Sequence, residues 1–212
     1  MIIAFSFLSL LDKNYKESII KFNSLDNNNW LHYDVMDGKF VSNSTFSCEL
    51  IKEVSNYNTL FNDVHLMIDD PLFNIDRYIN TGADMLTFHY EASYKEDIIR
   101  IIEKVKNAKL KVGISIKPST SINVLDEYLP YLDYVLIMSV EPGKGGQQFM
   151  ESCIEKIKYL KNEQSKHHYL IGVDGGINDK TSKLVKLAGA DVVVIGSYLA
   201  NNLTKETILN CK

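Results

Sequence analysis

The chain has 212 residues, 45% of them apolar and 24% charged, with a formal net charge of −4. Lys and Arg are scattered rather than clustered, so the positive footprint that nucleic acid or an anionic membrane would need is missing and neither is an expected partner. Three cysteines (Cys48, Cys153, Cys211) stand far apart with no CxxC pair, which argues against a disulfide framework or a thiolate zinc site and fits a reducing cytoplasm. The apolar start, residues 1–11, has neither a basic flank nor a small-residue cleavage pattern and reads as a buried strand. No stretch reaches the roughly 18 uncharged apolar residues of a membrane span.

In chain order, short aliphatic runs predict strands at residues 2–8, 30–36, 62–67, 85–89, 111–116, 134–138, 170–174 and 191–195. Amphipathic stretches separate them, among them 14–22, 95–106, 153–160 and 180–187; in the second, Ile98, Ile99, Ile101, Ile102 and Val105 form an apolar stripe among charges. Right-handed βαβ crossovers make such strands parallel, and eight units favour a closed (β/α)8 barrel, an α/β fold spanning residues 1–212 as one domain. An open doubly wound sheet is the alternative; it would show five or six strands and a glycine fingerprint after the first, which is absent.

Alternate strand residues of such a barrel point inward, and the C-terminal strand ends carry the active site. Period two then puts His32, Asp34 and Met36 of the second strand on one face, and His65 and Met67 of the third on another, while the seventh ends in Asp174. An isolated buried carboxylate costs several kcal/mol, so two of them pointing inward call for a compensating cation or a hydrogen-bond cage. Two imidazoles and two carboxylates suit one divalent metal ion, Zn2+, Fe2+, Mn2+ or Co2+, with the metal's identity left open. Met36, Met67 and Met138 fall at three strand ends, either as adaptable core filler or as a polarizable floor beneath a flat intermediate. His89 and Glu91 read as a pair shaping the rim, without assigned chemistry.

Three glycine-bearing turns follow successive late strands: Pro142-Gly143-Lys144-Gly145-Gly146, Gly175-Gly176 and Gly196-Ser197. One Gly-Gly marks only a turn. Clustered on neighbouring loops, they point to an anion, because glycine lets backbone N–H groups approach a phosphate closely. Lys144 adds a positive charge there or is simply solvated.

The stretches His32-Tyr33-Asp34-Val35-Met36-Asp37-Gly38, Asp63-Val64-His65-Leu66-Met67, Glu141-Pro142-Gly143-Lys144-Gly145-Gly146-Gln147 and Val173-Asp174-Gly175-Gly176-Ile177 resemble the ribulose-phosphate 3-epimerase family, in the family's order and over nearly the whole chain. The resemblance implies a TIM barrel of the ribulose-phosphate-binding type that interconverts D-ribulose 5-phosphate and D-xylulose 5-phosphate in the pentose phosphate pathway, with a bound divalent metal. It implies that His32, Asp34, His65 and Asp174 hold the metal and that Asp34 and Asp174 double as the acid/base pair. Ser6, His32, His65, Met36, Met67, Met138, Gly143, Lys144, Gly145, Gly146, Gly175, Gly176, Gly196 and Ser197 would contact the ketose phosphate. Asp37 points away from Asp34 and is expected at a turn. Three positions depart from the family: no proline precedes Ser6, Ser42 replaces a usual proline, and Lys144 replaces a phenylalanine. An allulose 6-phosphate epimerase and a non-catalytic sugar-phosphate-binding barrel stay as alternatives, and a homo-oligomer is left open.

Overall fold

The computed structural model describes residues 1–11 and 14–212. Its chain runs β1 (Ile2–Ser6), α1 (Tyr15–Asn23), β2 (Trp30–Met36), α2 (Cys48–Ser55), β3 (Phe61–Met67), the single turns α3 (Pro71–Asn74) and α4 (Asp76–Ile79), β4 (Met85–His89), α5 (Ile98–Asn107) and β5 (Lys111–Ile116). It continues through β6 (Tyr134–Met138), α6 (Cys153–Glu163), β7 (Leu170–Asp174), α7 (Thr181–Ala188), β8 (Val192–Ile195), α8 (Ser197–Asn201) and α9 (Lys205–Asn210). All strands are parallel, and β1 pairs with both β2 and β8, closing the barrel without a free edge.

Several boundaries differ from the sequence expectation. The first strand stops at Ser6, because Phe7–Leu10 turns into a 3-10 helix whose Phe7 and Leu10 are buried. The stretch from residue 95 opens with a 3-10 turn, Lys95–Asp97, before α5, and Ile99 leaves the apolar stripe for the exposed side while Ile98, Ile101, Ile102 and Val105 stay buried. Between β5 and β6 only two 3-10 turns, Ile122–Leu125 and Leu129–Tyr131, stand where a helix is expected.

Strand alternation sorts the core into two layers. Tyr33, Val35, Val64, Leu66, Ile114, Val135 and Val173 face outward into the main cluster under the helices. Ala4, Trp30, Met85, Tyr134, Leu136, Met138, Val192 and Val194 fill the barrel interior. The parallel register lays inward residues side by side, Trp30 beside Phe61, His32 beside Asp63, Asp34 beside His65 and Met36 beside Met67, so the interior turns from aromatic to ionisable along β2 and β3.

The N-terminal end of the barrel is held by three matching clamps. Asp84, Asp133 and Asp191, each just before an even-numbered strand, donate their own N–H to Asn62, Val112 and Ile171 at 2.9, 2.9 and 2.8 Å. Each carboxylate accepts the N–H of that same residue in return, at 2.7, 3.0 and 3.0 Å. A buried strand-end N–H with no partner would cost about 1–3 kcal/mol, and the aspartates remove that cost.

Candidate active site

At the opposite end, His32 and Asp34 share the inward face of β2, His65 stands beside Asp34 on β3, and Asp174 ends β7. Donor atoms of these four residues all lie within 4.8 Å of one another. His32 Nε2 is 3.2 Å from Asp34 Oδ1 and 3.9 Å from Asp174 Oδ2. His65 approaches the same two oxygens with its other nitrogen, Nδ1, at 3.4 and 3.8 Å. Ser6, at the end of β1, donates its hydroxyl to Asp34 Oδ2 at 2.7 Å.

The two carboxyls are electrostatically unlike. Burial opposes ionisation of Asp34, but the charge and hydrogen bonds of His32, with those of His65, outweigh it and hold its pKa well below the usual carboxylate range. Asp174 is pushed up to about 7, first by burial and then by the charge of Asp34; the imidazole nitrogens stand beyond hydrogen-bond reach of it. One carboxyl of the pair is thus ionised and the other retains a proton near neutrality, as expected for like charges forced together. Burial lowers the pKa of His32, yet the charges of Asp34 and Asp63 reverse this and raise it well above the ordinary value, while burial dominates at His65 and lowers it. Two imidazole nitrogens and two carboxylates with excess negative charge form a donor set that fits a divalent cation of the Zn2+, Fe2+, Mn2+ or Co2+ group.

A cavity of about 290 Å3 opens above this cluster. Asp34, Asp174, Ser6, Met36, Met67, Met138, Gly143, Lys144, Gly145, Gly146, Gly175, Gly176, Gly196 and Ser197 all line it, whereas His32 and His65 are fully buried beneath. Gly175 and Gly176 adopt φ of 120° and 65°, and a side chain on Gly176 would meet the Phe149 backbone nitrogen at 2.6 Å, so the turn after β7 requires glycine. The loop after β6 is stapled by Gln147, whose amide donates to the carbonyls of Glu141 and Lys144, and Asn43 ties it across the cavity mouth to Gly143 at 2.7 Å. Lys144 is exposed at this rim.

Two residues take roles the sequence reading did not assign. Asp63 accepts from His32 Nδ1 at 2.7 Å; its inward parity with His65 on β3 was a signal for it. His89 is fully buried rather than part of the rim: it bonds Glu91, at 3.2 Å, but its other nitrogen meets His65 Nε2 at 2.9 Å. Burial lowers the His89 pKa to about 4. Burial also opposes ionisation of Glu91, yet hydrogen bonds from His89 and Thr120 bring its pKa down to about 2. Asp37 lies outside the cluster and ties the turn together, accepting the backbone N–H groups of Lys39, Phe40 and Asp69.

The likeness to solved structures at low identity concerns the fold. An orotidine 5'-phosphate decarboxylase from Pyrococcus horikoshii matches with a TM-score of 0.67 at 13% identity, covering 100% of this chain and 97% of that one. An N-(5'-phosphoribosyl)anthranilate isomerase from Pyrococcus furiosus matches with a TM-score of 0.66 at 13% identity, covering 100% and 96%. Sequence relatives are much nearer. A ribulose-phosphate 3-epimerase of Treponema pallidum is 42% identical over 79% of this chain and 77% of its own length, and that of Bacillus subtilis is 41% identical over the same shares. That of Schizosaccharomyces pombe is 38% identical over 85% of this chain and 79% of its own length. The model of the ribulose-phosphate 3 epimerase family matches residues 2–200, and with these relatives it shows that the chain belongs to that family.

Proposed function

We propose that the chain is a divalent-metal-dependent isomerase that interconverts D-ribulose 5-phosphate and D-xylulose 5-phosphate in the pentose phosphate pathway, with Asp34 and Asp174 as its two acid/base groups. The observation that carries this reading is the pair of unequal carboxyls on β2 and β7 lining one cavity. Inverting a carbon beside a carbonyl means removing a proton from one face and returning one to the other, which two neighbouring groups on one strand could not do. Asp34, ionised and fixed by Ser6 and His32, suits the base; Asp174, retaining its proton, suits the acid. In the reverse direction the roles exchange.

His32, Asp34, His65 and Asp174 would hold the cation. When bound, it supplies Lewis-acid stabilisation of the charge that develops on the substrate's enediolate oxygens. Met36, Met67 and Met138 offer a polarizable wall against the planar enediolate. The glycine turns after β6 and β7, with Gly196 and Ser197 at the start of α8, offer backbone N–H groups to the phosphate, and Lys144 adds positive charge at the rim. Three free cysteines suit a reducing compartment, and we place the enzyme in the cytoplasm.

The test is an isomer-resolved turnover assay on ribulose 5-phosphate beside allulose 6-phosphate. Conversion of the five-carbon ester to xylulose 5-phosphate, with the six-carbon ester a poorer substrate by kcat/KM, is expected. Preference for the six-carbon ester, or binding of both without turnover, overturns the reading.

A further inference from the structure

The barrel has a second mouth. At its N-terminal end a cavity of about 550 Å3 opens, against about 290 Å3 for the one over Asp34 and Asp174, and no described residue lines both. Small-molecule sites usually measure roughly 300–1,000 Å3. The floor of this cavity is aromatic and apolar. Trp30 and Phe61, paired across the β2–β3 register, lie with ring centroids 4.6 Å apart and planes tilted by 32°, and Met85 completes the surface. Tyr134 props Trp30 from inside the barrel, edge to face at 5.7 Å. Trp30 is 8% exposed, so its ring is shielded from bulk water yet borders the cavity.

The wall above this floor is fixed by the fold's own hydrogen bonds. Asp133 Oδ2 holds the Val112 N–H at 3.0 Å. Gln164 Nε2 donates to the Tyr169 carbonyl and to Asp191 at 2.7 and 2.8 Å, and the Tyr169 hydroxyl donates to the Leu160 carbonyl at 2.8 Å. What these bonds leave over is three groups able to donate. Lys111 Nζ stands 3.9 Å from Asp133 Oδ1, beyond hydrogen-bond reach, and the imidazoles of His167 and His168 have no partner among the described residues. Lys111 and His168 are exposed and His167 is half-buried, so all three are open to a ligand at the lip. Lys111 offsets the charge of Asp133, and the two imidazoles tip the balance toward an anion.

We propose that this cavity is a binding site for an aromatic carboxylate of one or two fused rings, its ring against Trp30 and Phe61 and its carboxylate toward Lys111, His167 and His168. Ring contact supplies burial and an aromatic pairing energy. Charge-assisted bonds from the lip fix the orientation and select for the acid. The site stands independently of the epimerase reading, since none of the groups assigned to catalysis borders it.

Trp30 is the only tryptophan of the chain, so a single indole N–H resonance reports on this floor. Titrating the ¹⁵N-labelled full chain with 2-naphthoate should move that resonance saturably. The neutral 2-naphthylmethanol, which keeps the rings and loses the charge, should bind about tenfold more weakly. Replacing both imidazoles, His167→Ala with His168→Ala, should lower naphthoate affinity about tenfold and leave that of the alcohol unchanged. Lys111→Gln, at an exposed position, repeats the test with Asp133 left facing the ligand and should weaken naphthoate as strongly. Excess inorganic phosphate, an anion suited to the glycine turns at the opposite mouth, should leave the shift in place. The proposal is overturned by a shift that does not saturate, by equal affinity for acid and alcohol, by reversal with phosphate, or by parental naphthoate affinity in both variants.

Discussion

Both ends of the barrel carry aspartates, and they are used in opposite ways. At the N-terminal end, Asp84, Asp133 and Asp191 each hold a backbone N–H, so they close the structure. At the C-terminal end, Asp34 and Asp174 meet in one cluster where the donors go to Asp34 and the imidazoles stand beyond hydrogen-bond reach of Asp174, which makes ionising Asp174 costly and creates a proton-holding pair. The same side chain is a clamp or a reagent according to whether its partner is a fixed donor or a second acid.

The contrast can be broken most forcefully at the acids. Asp34→Asn and Asp174→Asn should each cut turnover by about 10²- to 10⁴-fold, the span typical of a lost acid or base. The melting temperature should hold or rise for Asp174→Asn, whose raised pKa marks a destabilising charge, and fall for Asp34→Asn, whose lowered pKa marks a stabilising one. Near-normal turnover in either variant, followed by isomer-resolved product analysis, removes the two-base assignment. Next in size, chelation should lower activity on the order of 10³-fold, equivalent to several kcal/mol, with recovery on adding a divalent cation. Full activity in metal-free protein would end the cation's role.

At the other end, Asp191→Ala strands the Ile171 N–H and takes one of two acceptors from the Gln164 amide, which keeps the Tyr169 carbonyl, so urea unfolding should show a loss of about 1–3 kcal/mol. The kcat of the folded protein should be little changed; a collapse of kcat without a stability change would erase the distinction between the two ends. Proton competition supplies a further measure. A proton on Asp174, retained up to about 7, weakens its hold on a cation, so affinity should weaken as pH falls below that value, up to about tenfold per unit, and level off above it. A flat profile in chelator competition would contradict the shared proton. Smallest of all, Lys144→Ala, at an exposed rim position, should raise KM for the phosphate ester a few-fold, about 1 kcal/mol or less, with kcat nearly unaltered.

The barrel and its four converging donors were legible in the sequence because alternation along a strand is local: His32, Asp34, His65 and Asp174 needed only the period of two and the strand order. Asp63 obeyed the same parity and was open to the same argument. What stayed hidden was relational. Nothing near residue 95 distinguishes a 3-10 turn from a helix start, and the apolar Phe7 and Leu10 suit a strand as well as the tight turn they form. The role of His89 depends on which ring nitrogen of His65 it meets, a matter of side-chain rotation that no spacing encodes. The clamp aspartates likewise stay hidden, Asp84 and Asp133 as ordinary loop residues and Asp191 as the start of a strand, until the register shows each opposite the N–H it holds.

The site is also divided along the chain. Ser6, His32, Asp34 and His65 come from the first three strands, whereas Asp174 and the glycine turns come from the last three. A polypeptide severed between α5 and β5 would leave one half holding most of the cation donors and the other holding the opposing acid and the phosphate anchor. Neither piece could invert a stereocentre unaided. Recovery of catalysis on mixing two such fragments would therefore report reassembly of the closed cylinder itself, making epimerisation a built-in gauge of whether the halves have docked in register.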